Sequence, residues 1–240
     1  MKAQVITVSS HDPVQSYYHF GAFKKSLARF GVEPTILGPG EPWRGLMTKP
    51  RLLQKFLSES RHKSDNIIVT DAWDIIFTAH PDEVWAAKEF DAPDAVMFNA
   101  EMGCFPRADL ADRFPDPGTP YRFPNSGFMA GTASQILAIL DSMNLNAIRD
   151  DTQEPDGSWF NPNDQEYYTL AFLQQPVKMV LDTHARVCQS FSGSALSDYV
   201  LVDEGRVTNK RTGCKPLVWH FNGNSKNDIL PELLKHNHLA

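Results

Sequence analysis

Apolar residues along this chain fall into two alternating patterns, short continuous runs and repeats at helical spacing, which together predict an α/β domain. Residues 2–8 read as a first strand. Residues 13–30 read as a helix opened by Asp12, with Phe20, Phe23, Leu27 and Phe30 on one stripe and Gly31 as its stop. Residues 34–37 predict a short strand and residues 38–42, rich in Gly and Pro, a loop. A second amphipathic helix over 50–61 carries Leu52, Leu53, Phe56 and Leu57 on one face and leads into a strand at 66–70. Helices are then expected at 81–89, 134–143 and 162–173, with strands at 95–99 and 126–131. Weaker strand signals follow at 177–181, 199–202 and 217–220. The polar, turn-rich stretch 150–163 reads as a mobile lid or a plain surface excursion, and Trp159 and Phe160 favour a loop that packs on something.

With 240 residues and 42% hydrophobic content, the chain suits one compact catalytic domain, residues 1–240, with no second domain expected. Met1 leads directly into a run too short for the core of a signal peptide, and no stretch is long enough to span a bilayer, so a soluble, cytoplasmic protein is expected. Cys104, Cys188 and Cys214 are too scattered for a disulfide framework or a zinc site, which fits a reducing compartment. A net charge of −6 argues against a polyanion as the main partner. Two local basic clusters remain, Arg51, Lys55 and His62, and Arg206, Lys210, Arg211 and Lys215. Each reads first as an ordinary solvated face.

The most informative motif is Asp71-Ala72-Trp73-Asp74, which sets two carboxylates just past the 66–70 strand. The carboxyl ends of strands in open α/β sheets are where ligands sit. Hard cations such as Mg²⁺ and Mn²⁺ bind there through one or two carboxylates together with substrate phosphates. The plainer reading is that one Asp caps a turn while the other is solvated.

Further segments follow in order: Asn99-Ala100-Glu101-Met102-Gly103-Cys104-Phe105-Pro106, Pro124-Asn125-Ser126-Gly127-Phe128-Met129-Ala130-Gly131, Asn163-Asp164-Gln165-Glu166-Tyr167-Tyr168 and His220-Phe221-Asn222-Gly223-Asn224-Ser225-Lys226. With Leu37-Gly38-Pro39-Gly40-Glu41-Pro42-Trp43-Arg44-Gly45, this series resembles the amino-terminal glycosyltransferase domain of the multifunctional collagen lysyl hydroxylases, and more loosely the collagen galactosyltransferases. The resemblance runs from near Val5 to near Lys226. It implies the glycosyltransferase A fold, three layers around a mixed central sheet, and a UDP-sugar-dependent hexosyltransferase. Mn²⁺ is the implied metal, with Mg²⁺ as an alternative.

The resemblance also assigns roles. Asp71, Asp74 and His220 become the metal ligands; a lone His after an apolar strand could equally be a hydrogen-bonded structural residue. Trp73 matches a tyrosine that stacks on uracil, or it belongs to the core. Val8, Ser9 and Ser10 correspond to the nucleobase-contacting turn, and Lys49 to a lysine near the donor. Gly223 admits a phosphate close to the backbone, Lys226 supplies charge for it, and Asn222 lies in the same segment. Asn125, Ser126 and Gly127 match the donor-sugar motif. Asp164 and Gln165 match part of an acidic motif, which places Asp164 near the anomeric carbon as base or charge stabiliser. Asn163 replaces the first acidic residue of that motif, Phe105 stands where the family carries Trp, and Glu101 is a reserve carboxylate or a structural hydrogen-bonding group. The implied acceptor is a hydroxyl group of a peptide such as one bearing hydroxylysine. A saccharide, hydroxymethylated pyrimidines in DNA, and an inactive sugar-nucleotide-binding domain are the alternatives.

Overall fold

A computed structural model describes residues 2–10, 18–59, 65–201 and 206–236. Asp12 as a helix cap, the 13–17 start of the first expected helix, the 60–61 end of the second, His62, and Val202 lie outside the described residues.

The chain begins with β1 (Ala3–Val8), α1 (Tyr18–Ala28), β2 (Thr35–Leu37), α2 (Thr48–Leu57), β3 (Asn66–Thr70) and β4 (Ile75–Phe77). Then come α3 (Pro81–Asp91), β5 (Val96–Glu101), β6 (Phe123–Thr132) and α4 (Ala133–Ser142). A hairpin of β7 (Thr152–Gln153) and β8 (Trp159–Phe160) precedes α5 (Asp164–Gln174). The last part holds β9 (Met179–Asp182), β10 (Cys188–Ser190), β11 (Tyr199–Leu201), β12 (Val207–Asn209), β13 (Val218–His220), α6 (Ser225–Asp228) and α7 (Leu230–His236).

The main sheet is nine-stranded, in the order β2-β1-β3-β6-β5-β10-β13-β4, with β9 also pairing β5. Strands β1, β2, β3, β5, β9, β10 and β13 run one way, and β6 and β4 run against them. Alternation along each strand sorts its side chains to two faces. Val5, Ile68, Met97 and Ala130 pack on one face with Phe20, Phe23 and Leu27 of α1 and Val84 and Trp85 of α3. Ile6, Ile67, Val69, Phe98 and Met129 pack on the other with Leu53 and Leu57 of α2, Ile136 and Leu140 of α4 and Ala171 of α5. Burial of each such side chain contributes on the order of 2 kcal/mol. The result is the expected three-layer α/β domain with a mixed central sheet.

Local chemistry explains the helix starts. Thr132 and Gln135 form a reciprocal capping box on α4. Pro50 sits in the first turn of α2, where its missing N–H leaves no bond unmade. The Asn163 side chain accepts from the Gln165 N–H at 3.0 Å and caps α5.

Several elements depart from the sequence expectation. β4, β10 and β12 are three residues long, too short for any period to show. β6 begins at Phe123, before the predicted residue 126, because Pro124 reads as a breaker yet lies within the strand. The 150–163 stretch folds as the β7–β8 hairpin, with Phe160 under the Arg149 guanidinium at 4.1 Å and Trp159 exposed. A third cluster was not foreseen: Ile229, Leu230, Leu233 and Leu234, from the end of the chain, pack with Phe191, Trp219 and Phe221.

Candidate active site

The site gathers at the carboxyl edge of the parallel strands, because each of them ends there. β1 delivers Val8 and then Ser9 and Ser10, β3 delivers Asp71, β5 delivers Glu101, β10 delivers Ser190 and β13 delivers His220. The two opposed strands bring their beginnings to the same edge, so β6 contributes Asn125, Ser126 and Gly127, and Asp74 stands just before β4. The Asp71 N–H donates to the Gly127 carbonyl at 2.9 Å, and the Phe221 N–H to the Asp74 carbonyl at 2.8 Å. Backbone pairing therefore fixes the three expected metal ligands relative to one another.

One ligand atom from each of Asp71, Asp74 and His220 lies within 4.8 Å of the others. His220 Nε2 is 3.6 Å from Asp74 Oδ1 and 3.8 Å from Asp71 Oδ2. His220 is 1% exposed, and its Nε2 has no hydrogen-bond partner among the described residues. A buried polar atom left so calls for a partner of another kind. Two hard carboxylates and one imidazole suit a divalent cation of the Mn²⁺ or Mg²⁺ type, so the residues present fit the implied metal. Burial pushes His220 down to about 4, against the opposing pull of Asp71, which keeps the ring neutral as a ligand must be.

Lys49 couples this cluster to α5. Its Nζ lies 2.6 Å from Asp71 Oδ1 and 3.0 Å from Asp164 Oδ2. Burial alone would lower the Lys49 ammonium, but Asp164 and Asp71 outweigh it and raise it above its ordinary value. Burial likewise works to raise Asp71, yet Lys49 above all, with Lys226 adding to it, holds it below the usual carboxylate range. Asp164 is buried at the start of α5, where the helix dipole also favours a carboxylate.

A second polar cluster lies beside the first. Glu101 accepts from Gln165 Nε2 at 2.5 Å and from Asn222 Nδ2 at 2.6 Å. Asn222 Oδ1 in turn accepts from Ser190 Oγ at 2.8 Å and from the Ser192 N–H at 3.0 Å. Gln165 also donates to the Phe105 carbonyl at 2.8 Å and accepts from the Ser126 N–H at 3.3 Å. Gln165 and Asn222, expected at the donor, thus have amides engaged within the protein and tie β5, β6, α5 and the Phe105 loop together. Burial is the main cause that raises Glu101 to about 7.

A cleft of about 400 Å³ opens over the cluster, within the range of small-molecule sites. Val8, Ser9, Ser10, Lys49, Asp71, Trp73, Asp74 and Lys226 line it, as the sequence reading expected of donor and metal residues. Trp73 does double duty: it lines the cleft and also stacks on Phe20 with ring centroids 5.7 Å apart. Gly223 adopts a left-handed φ of +64° close to Ser192. Asn125 is buried, and its Oδ1 accepts from the Gly127 N–H at 2.8 Å. Asn163 serves as the α5 cap. Phe105 is exposed on its loop.

The structure adds residues that the sequence reading passed over. Trp43 and Leu46 line the cleft from the loop after β2, and an aromatic among turn formers was the available signal for Trp43. Asn99, a polar residue inside the apolar run of β5, is fully buried beside His220. Gly127 has a use beyond the donor motif, since a Cβ there would fall 2.1 Å from His220 Cε1 and 2.9 Å from Asp71 Oδ2.

The family model described as "PLOD GT domain" matches residues 1–235. The procollagen-lysine,2-oxoglutarate 5-dioxygenase of Drosophila melanogaster is 30% identical, over 95% of this chain and 31% of its own length. The multifunctional procollagen lysine hydroxylase and glycosyltransferase LH3 of Homo sapiens is 30% identical, over 94% of this chain and 30% of its own. The chain thus spans about three tenths of the length of these curated relatives. Among solved structures, the apo form of mouse xyloside xylosyltransferase 1 aligns at a TM-score of 0.47 and 13% identity, covering 93% of this chain and 98% of that one. No helix among the described residues is long and apolar enough to cross a membrane. The expected cytoplasmic location gains no support from the relatives.

Proposed function

We propose that this chain, which belongs to the family of PLOD glycosyltransferase domains, acts as one domain over residues 1–240 and moves a hexosyl group from a UDP-sugar to a hydroxyl acceptor with the help of a divalent cation. The observation that carries the reading is the Asp71, Asp74 and His220 cluster, whose two carboxylates line the cleft and whose buried imidazole nitrogen has no hydrogen-bond partner among the described residues. Asp71, Asp74 and His220 would hold Mn²⁺ or Mg²⁺, which would supply Lewis acidity toward a diphosphate leaving group. Lys49 and Lys226 line the same cleft and add positive charge where the diphosphate departs. Trp73 and Trp43 offer ring faces to the base, and Val8, Ser9 and Ser10 offer the turn after β1.

Asp164, whose Oδ2 lies 3.0 Å from Lys49 Nζ, is suited to stabilise positive charge developing on the sugar. Glu101, raised to about 7, is suited to take a proton from an acceptor hydroxyl near neutral pH. Asn125 and Ser126 stand at the start of β6 to bond sugar hydroxyls. The acceptor we favour is a hydroxylysine-like hydroxyl, supported by relatives whose names join lysine hydroxylation to glycosyl transfer. The DNA alternative loses ground, because Arg51 pairs with Asp150 and Arg211 with Asp198 rather than standing ready for phosphates.

The test is a screen of UDP-sugars with Mn²⁺, reading released UDP with and without hydroxylysine peptides. We expect slow donor hydrolysis that accelerates with the peptide. Absence of UDP release from every donor would favour a sugar-nucleotide-binding domain without catalysis.

A further inference from the structure

The two nitrogens of the buried His220 ring face different surroundings. Nε2 looks toward the Asp71 and Asp74 carboxylates at 3.8 and 3.6 Å, while Nδ1 lies 3.2 Å from the side-chain amide of Asn99. A neutral imidazole carries one proton and one lone pair on its nitrogens, and which nitrogen holds which is set by the neighbour of the other. For Nε2 to present its lone pair between the carboxylates, the proton must sit on Nδ1. That N–H requires an acceptor, and in a fully buried site water does not supply it.

Asn99 is 0% exposed, and its Oδ1 has no partner among the described residues while Nδ2 is placed toward the ring. The oxygen and nitrogen of such an amide exchange positions by a half turn, so their placement is an assignment that chemistry can decide. With Nδ2 facing Nδ1, the ring proton is driven to Nε2, where it meets carboxylates beyond hydrogen-bond distance. With Oδ1 facing Nδ1, the amide oxygen gains its donor and the Nε2 lone pair points into the acidic cluster. Gly127 lies against the ring, which fills the space a side chain there would need: a Cβ would fall 2.1 Å from Cε1 and 2.5 Å from Nε2. Asn99 also stands at the register break between Phe98 and Ala100, where a bulge re-aims a side chain.

We propose that Asn99 is a positioning residue of the metal site, accepting the Nδ1–H of His220 through Oδ1 and so fixing the tautomer whose Nε2 lone pair faces Asp71 and Asp74. The inference rests on the metal reading of the preceding subsection. It adds a partner that the metal reading alone does not require.

The experiment uses the full chain and two readouts besides turnover. Nitrogen-15 NMR of the metal-free wild type is expected to show His220 protonated at Nδ1 and bare at Nε2, a result that needs no substitution. Calorimetric titration with Mn²⁺ alone should show Asn99→Leu weakened about 10- to 100-fold, whereas Asn99→Asp, which keeps an acceptor oxygen, stays within about threefold of wild type. A proton on Nε2 in the wild type, or an Asn99→Leu variant that binds Mn²⁺ as tightly as wild type, would overturn the role of Asn99. Failure of the wild type itself to bind Mn²⁺ would remove the metal site and this inference with it. The first pair of results leaves the metal site standing, so the two failures are distinguishable.

Discussion

At the scale of single residues, the site is dominated by charges that cannot be removed one at a time. Lys49 is 18% exposed and bonds Asp71 and Asp164 together, so Lys49→Met leaves two carboxylates facing each other without their cation. We expect a loss of about 3 kcal/mol in the metal-free chain, as is usual when a buried pair is broken from one side. Added Mn²⁺ should restore more of the melting temperature in the variant than it adds to wild type, because it replaces the missing charge beside Asp71. An unchanged melting temperature would contradict the pairing.

Glu101 gives a pH signature. Its folded-state value, raised to about 7 by burial, lies above the ordinary 4.5, so the folded state favours the protonated form. Its contribution to stability is therefore complete below about 4.5 and is lost as pH rises through about 7, a change of up to about 3 kcal/mol. Glu101→Gln should flatten that part of the pH profile in denaturant titrations. A variant with the same slope as wild type would show that Glu101 is ionised throughout.

At the scale of elements, close approach decides the geometry. Gly127 lets β6 pass directly against His220, and Gly127→Ala would place a methyl group within 2.1 Å of the ring. We expect Mn²⁺ affinity to fall at least about tenfold while circular dichroism keeps the sheet signal. Unchanged Mn²⁺ affinity would mean that the ring has room to move. The loop that carries Trp43 and Leu46 depends on Gly45, whose φ is +99° and whose Cβ would fall 1.9 Å from Asp151 Oδ1. Gly45→Ala should therefore loosen this loop against the β7–β8 hairpin, read as faster hydrogen exchange in residues 150–163 and weaker UDP binding. Equal exchange in both proteins would contradict the docking.

Elements were legible in the sequence where their apolar residues made a clear period or an unbroken run. The helices α2, α3, α4 and α5 and the strands β1, β3, β5 and β9 were expected close to their positions, because each carries a full period of apolar residues. The short strands β4, β10 and β12 form only because neighbours offer them partners across the sheet, which no local pattern reveals. The same holds for side chains. Asp71, Asp74 and His220 were readable from motifs, whereas Asn99 owes its place to β5 lying two strands from β13, a fact of topology.

At the scale of the whole molecule, the order of strands does the assembling. Residues as far apart as Val8, Asp71 and Lys226 come to one cleft because seven strands end at the same edge and two begin there. Asp71 and Asp74 line that cleft, so metal, donor and transfer should stand or fall together. The most direct measurement of this claim is UDP release from a UDP-sugar with Mn²⁺, compared between wild type, wild type with a chelator, and Asp74→Asn. Release is expected in the first alone, with Asp74→Asn keeping the wild-type fold by circular dichroism. Equal release in the chelator, or by Asp74→Asn at the wild-type rate, would contradict it.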